Sequence, residues 1–211
     1  MDQMISAERM SRFYSGEKID RVPFMSSATM YSGKMMGLTA GEFYFDAEKS
    51  YQAQKWVLEM HGCDGGPCYD VPNGEVLDLG GKLIFDPNGP VELPKVIHPI
   101  QSLEDAEKYE VPDSSKWENL KKSIAFKKYA QSQGQMGIGI SAGSPFTMVG
   151  SMVDMSLLLR WIKKEPQIVH KLVRQAEQYL LDIADIIIAG KGIEKFQYPF
   201  MWKPESESRM L

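Results

Sequence analysis

His61, Cys63 and Cys68 place an imidazole and two thiols within a short stretch, and these donor types suit a tetrahedral zinc ion. Their spacing departs from the usual zinc patterns, so the same residues also fit a helix end followed by a strand entry. Just beyond, Asp70 and Glu75 flank Asn73. Two carboxylates there can orient a polar substrate, or sit in solvent as most carboxylates do. Ser144, Phe146 and Thr147 stand where a strand candidate gives way to a helix. Backbone amides at such a junction can receive an anionic group, and plain helix capping by serine explains the residues equally well. His98 and His170 have no evident partner nearby in sequence and read as structural.

These residues need elements to hold them. Ser6 opens an amphipathic helix that Gly16 ends, and Arg21-Val22-Pro23-Phe24-Met25 is a short apolar segment followed by a small-residue loop through Ser26, Ser27 and Ala28. Asp46 caps a helix to Met60 whose apolar face is Ala47, Tyr51, Gln54, Trp56, Val57 and Met60. Residues 63–100 are rich in glycine and proline around pieces such as Lys82-Leu83-Ile84-Phe85, the pattern of strands and turns. Ser102 to Asp105 has capping-box spacing for a short helix closed by Val111-Pro112-Asp113. A polar-faced helix spans Trp117 to Gln133.

Met136-Gly137-Ile138-Gly139-Ile140 alternates glycine with large apolar residues, a strand with one nearly bare face. A helix follows from about Thr147, another covers Asp154 to Lys164 with Leu157, Leu158, Trp161 and Ile162 on one side, and Pro166 starts the longest. Its buried stripe is Ile168, Val169, Leu172, Val173, Ala176, Tyr179, Leu180 and Ile183, with Gly190 as its cap. Lys195 to Met201 reads as a further strand. Helices between short strands, without tight hairpins between the strong strand candidates, predict a parallel α/β sheet in a barrel or a doubly wound arrangement.

Composition narrows the function classes. With 211 residues, a net charge of −4 and charges scattered rather than blocked, the chain shows no basic stripe for nucleic acid. No apolar run approaches the roughly 20 residues that span a bilayer, and the start lacks the features of a signal peptide. The expectation is a cytoplasmic protein without nucleic-acid or membrane partners. Two cysteines are too few for a disulfide framework.

In order along the chain stand Asp20-Arg21-Val22-Pro23, Gly41-Glu42-Phe43-Tyr44-Phe45-Asp46, His61-Gly62-Cys63-Asp64, Gly80-Gly81-Lys82-Leu83-Ile84-Phe85, Ser102-Leu103-Glu104-Asp105 before Val111-Pro112-Asp113, Gly143-Ser144-Pro145-Phe146-Thr147, and Pro204-Glu205-Ser206. Their order and spacing resemble the uroporphyrinogen decarboxylase superfamily, and within it the cobamide-dependent methyltransferases. The resemblance implies an α/β fold, a (β/α)8 TIM barrel. On that basis residues 1–211 are expected to form a single domain holding part of the barrel, with helical additions over 1–60 and the first strands and helices over 61–211. It aligns His61-Gly62-Cys63-Asp64 with the family's Gly-x-Asp turn rather than with a metal motif, and it places Asp70 and Glu75 near the barrel mouth. Tyr198, Met201 and Glu205 would follow the last strand and line that mouth.

For function, the resemblance implies methyl transfer between a corrinoid on a small partner protein and a thiol or a methylated small molecule. The family's zinc, held by one His and two Cys from later strands, has no ligand set in this sequence. The decarboxylase branch follows its Arg-x-Pro element with arginines suited to a polycarboxylate substrate. Here Phe24-Met25-Ser26-Ser27-Ala28-Thr29-Met30 follows instead, and the chain has six arginines in all. The absent arginine clamp argues against uroporphyrinogen decarboxylation, which stays as one alternative, and a non-catalytic half-barrel binding module is another. A homo-oligomer completing the sheet is a further expectation, since open sheet edges seek partners.

Overall fold

The structure, a computed structural model, describes residues 3–135 and 143–189. Helix α1 (Ser6–Tyr14) leads through an irregular stretch to α2 (Thr29–Met35), α3 (Ala40–Phe45) and α4 (Ala47–Met60). The short α5 (Glu75–Asp78) precedes strands β1 (Lys82–Ile84) and β2 (Lys95–Ile97), and α6 (Leu103–Lys108) and α7 (Glu118–Ser132) follow. Helices α8 (Pro145–Met152), α9 (Met155–Lys164) and α10 (Pro166–Ala189) complete the described part. The strand expectations at Met136–Ile140 and Lys195–Met201, and the cap at Gly190, lie outside the described residues.

Local chemistry sets most helix starts. Asp46 accepts the Lys49 amide at 3.0 Å, Ser102 that of Asp105 at 3.1 Å, and Asp154 that of Ser156 at 2.8 Å, so each side chain satisfies a donor that has no partner within its own helix. Proline begins both α8 and α10, where a missing N–H is harmless. Thr39 and Glu42 form a reciprocal capping box on α3. That signal stands in the sequence, yet neither α2 nor the separate α3 is among the sequence expectations.

One strand pair departs from the parallel pairing expected. The two described strands pair antiparallel, with Leu83 opposite Val96. The reason is the connection 85–94, which reverses the chain instead of crossing over through a helix: Asp86 accepts the Asn88 amide at 3.0 Å and the Gly89 amide at 3.1 Å. The same turn docks onto α3, offering the Gly89 and Pro87 carbonyls to the amides of Ala40 and Gly41. Arg21–Met25 forms no strand among the described residues.

The largest core lies where α10 packs against α8 and α9, with Leu158, Trp161, Val169, Leu172, Ala176 and Ile183 buried around Val149 and Met152. The α10 stripe thus follows the heptad-like spacing read from sequence. Ile162, expected on the buried side of α9, is 42 % exposed, and Trp56 and Met60 of α4 are also exposed while Ala53 and Leu58 are buried. A second cluster joins α4 to α7 through Tyr51, Phe126 and Ala130.

Two of the sequence landmarks meet in a buried ion network. Arg9, 1 % exposed, donates from Nε to Asp20 Oδ1 at 2.7 Å and from Nη2 to Asp20 Oδ2 at 2.9 Å, and it also bonds Asp64. Asp64 takes Arg21 as well, and the Phe24 amide at 2.8 Å. Burial works to raise the Asp64 pKa, but the bonds from Arg21, Phe24, Ser6 and Arg9 outweigh it and hold it at about 2. The Arg9 bond likewise keeps Asp20 well below the usual carboxylate range. This network pins α1 and the Asp20-Arg21-Val22-Pro23 segment to the turn after α4, where Gly62 takes the left-handed φ of 62°.

Candidate functional site

A cavity of about 390 Å3 opens between the 68–78 segment, α7, the start of α8 and α10. The chain reaches it through Tyr69 and Asp70, then turns at Asn73, whose φ of 57° is left-handed, into α5. Gly74 allows that turn to press against α7, because a Cβ there would collide with Asn119 Oδ1. The wall therefore presents Asp70, Glu75 and Asp78 from one segment and Asn119, Ser123 and Lys127 from the facing helix.

Asp78 is the most constrained of these groups. It is 1 % exposed and accepts the amides of Asn119 at 2.9 Å and Leu120 at 3.1 Å, so it caps α7 from another element. Tyr179 of α10 donates to it at 3.3 Å and packs edge-on against Trp117, with ring centroids 4.8 Å apart. Burial raises the Asp78 carboxyl to about 6, against the lowering by those amides. Tyr179 and Tyr69 are both pushed up, mainly by burial and further by the Asp78 charge. Tyr69 also donates to Asn119 Oδ1 at 3.0 Å.

Lys127 has the opposite character. It is 4 % exposed, and among the described residues its amine makes no hydrogen bond or ion pair. Burial alone lowers its pKa to about 7. A carboxyl near 6 and an amine near 7 in one cavity can both exchange protons at neutral pH.

The sequence candidates divide. Asp70 and Glu75 line the cavity, and Glu75 is fixed by the Ser151 hydroxyl at 2.8 Å. Asp70 stands on the approach to Asn73, and Glu75 begins α5. Ser144 is a cap: its hydroxyl accepts the Thr147 amide at 3.2 Å. Phe146 is 46 % exposed, and neither residue lines the cavity, although their neighbours Gly143 and Thr147 do. Tyr198, Met201 and Glu205 lie outside the described residues. His98 contacts the Ser151 carbonyl through Nδ1 at 3.1 Å, and His170 is exposed.

His61, Cys63 and Cys68 do not come together. His61 is exposed at the end of α4, the Cys63 thiol is buried against the Phe24 carbonyl and the Ser26 amide, and the Cys68 thiol lies 3.8 Å from Gln54 Oε1. Among the described residues no three His, Cys, Asp or Glu side chains are placed to hold a metal ion, so the residues present do not fit the zinc that the resemblance implies.

Comparison with known proteins adds the family. The sequence model of the uroporphyrinogen decarboxylase (URO-D) family matches residues 5–196. The chain belongs to that family. No curated protein matches this URO-D family member in sequence. Among solved structures it is similar to a methyltransferase from Methanosarcina mazei, at 17 % identity and a TM-score of 0.64, covering 90 % of this chain and 57 % of that one. This likeness gives the fold, a URO-D-like TIM barrel, and the chain spans a little over half the length of that relative. Among the described residues the helices dominate and the strands are few, as in one part of such a barrel.

Sequence reasoning missed Asp78, Asn119, Ser123, Lys127 and Tyr179. One signal was legible. Lys127 stands seven residues after Leu120 and three before Ala130, on the stripe that carries the buried residues of α7.

Proposed function

We propose that this URO-D family protein is a cytoplasmic methyltransferase that holds a small molecule in the Asp78–Lys127 cavity and exchanges a methyl group with a corrinoid on a partner protein. The observation that carries the reading is the cavity lining: carboxylates of α5 and its approach, one buried amine, and no guanidinium among the lining residues. A porphyrinogen bearing many carboxylates would need arginine forks, and Asp70, Glu75 and Asp78 would repel it. At about 390 Å3 the cavity falls in the range of small-ligand pockets. The fold likeness to a methyltransferase supports the reaction class.

The corrinoid supplies a cobalt centre that accepts or donates the methyl group. The chain's own residues orient the small molecule and handle its proton. Asp78 titrates close to neutrality, so it can take or give a proton at the heteroatom that gains or loses the methyl group. Leu120 and Tyr179, the latter backed by Trp117, line the cavity beside Asp78 and limit water there. No step is assigned to zinc, which the described residues do not fit.

The test is methyl transfer from methylcobalamin, or from a methylated corrinoid protein, to a small thiol, followed by the cobalamin absorbance change. Protein-dependent demethylation is expected. Release of carbon dioxide from uroporphyrinogen without any methyl transfer would overturn the reading in favour of the decarboxylase.

A further inference from the structure

We propose that Ser123 and Lys127 form an oxyanion subsite that receives the anionic end, a carboxylate or phosphate, of the small molecule in the cavity. The inference rests on the reading of that cavity as the substrate site. The two residues are one helical turn apart on α7 and so share a face. Both are buried, at 8 % and 4 % exposure, and both line the cavity. Among the described residues neither the Ser123 hydroxyl nor the Lys127 amine has a hydrogen-bond partner.

A buried cation without a counter-charge is costly, and a chain normally surrounds it with carboxylates or moves it to the surface. Two carboxylates of this cavity are committed elsewhere, Asp78 to the α7 amides and Tyr179 and Glu75 to Ser151, and the third, Asp70, makes no ion pair with Lys127. Only burial acts on the Lys127 amine, and no carboxylate charge contributes. The cavity is therefore polarised, acidic along α5 and cationic along α7. An ammonium and a hydroxyl at one-turn spacing offer two donors to one oxyanion, and a charge-assisted bond of this kind is the strong sort. Packing alone needs only the aliphatic stem, and methionine would supply that.

The experiment measures reductive methylation of each lysine of the 211-residue chain at pH 7, resolved by mass spectrometry, with acetate or inorganic phosphate against chloride at equal ionic strength. Acetate or phosphate is expected to slow labelling of Lys127 saturably and to leave the exposed Lys128 unchanged. The anion that protects identifies the ligand class. Ser123→Ala is expected to raise the half-protecting concentration by about tenfold. Lys127→Met, which keeps the stem volume, is expected to abolish calorimetric binding of the protecting anion with unchanged circular dichroism. Labelling of Lys127 as fast in acetate and phosphate as in chloride would overturn the subsite, as would equal anion binding by Lys127→Met and the parent chain. None of these measurements needs a methyl donor. Absent methyl transfer with Lys127 protected would strike the proposed activity alone, and turnover without protection would strike the subsite alone.

Discussion

Replacing Asp78 by asparagine tests the account of the cavity wall at its most buried charge. The carboxyl rises from an ordinary value of 3.8 to about 6 on folding. Between those values the native state binds more protons than the unfolded chain, so the group's contribution to stability falls as pH rises through that window. At about 1.4 kcal/mol per pH unit, the shift corresponds to roughly 3 kcal/mol in all, most of it between pH 4 and pH 6. Asparagine is isosteric and keeps one acceptor for the amides of Asn119 and Leu120, so it resembles the protonated acid and does not titrate. In urea denaturation, parent minus Asp78→Asn is therefore expected to shift by about 2–3 kcal/mol against the parent between pH 4 and pH 7. Taking the difference removes carboxylates such as Asp64 that act in the opposite direction, because they are common to both proteins. A difference that stays constant within about 0.5 kcal/mol across that range would refute the reasoning, since Asp78 would then titrate alike folded and unfolded.

Lys127→Met is expected to stabilise the fold by about 2–4 kcal/mol below pH 7. Because burial lowers the amine to about 7 from 10.5, the native state binds fewer protons between those values, and the gap should close as pH rises toward 10.5. Thermal melts at pH 6 and pH 10 check both sign and window. Asp64→Ala strands two arginines in a buried network and is expected to lower the melting temperature by on the order of 10 °C. A scanning calorimetry trace unchanged by the substitution would show that the network is solvated. Gly33→Ala on α2 would place a Cβ 2.8 Å from the Phe43 ring and 2.9 Å from Val91. A loss of about 1–3 kcal/mol in chemical denaturation is expected, and a stable variant would mean that this packing yields freely.

The sequence by itself determined the local events. Asp46, Ser102, Ser144 and Asp154 each bond an amide two or three residues on, so the signal and its effect lie within one turn. The α10 stripe is legible for the same reason, since helical period alone decides which side chains share a face. The family landmarks were readable as an ordered set, although not what two of them do: Asp20-Arg21 and Asp64 meet across a helix in one ion network.

Only the tertiary structure decided the cavity. Asp78 caps a helix that begins forty residues later in the chain, and no local pattern marks a cap donated from a distant element. The antiparallel pairing of β1 with β2 was likewise set by how the 85–94 turn docks on α3, not by the strands' own composition. Helical spacing puts Lys127 on the α7 stripe with Leu120 and Ala130, but only the packing of α7 against α4 and the 68–78 segment buries its amine. Burial, and the pKa it sets, belongs to the neighbours a residue acquires on folding rather than to the residue itself.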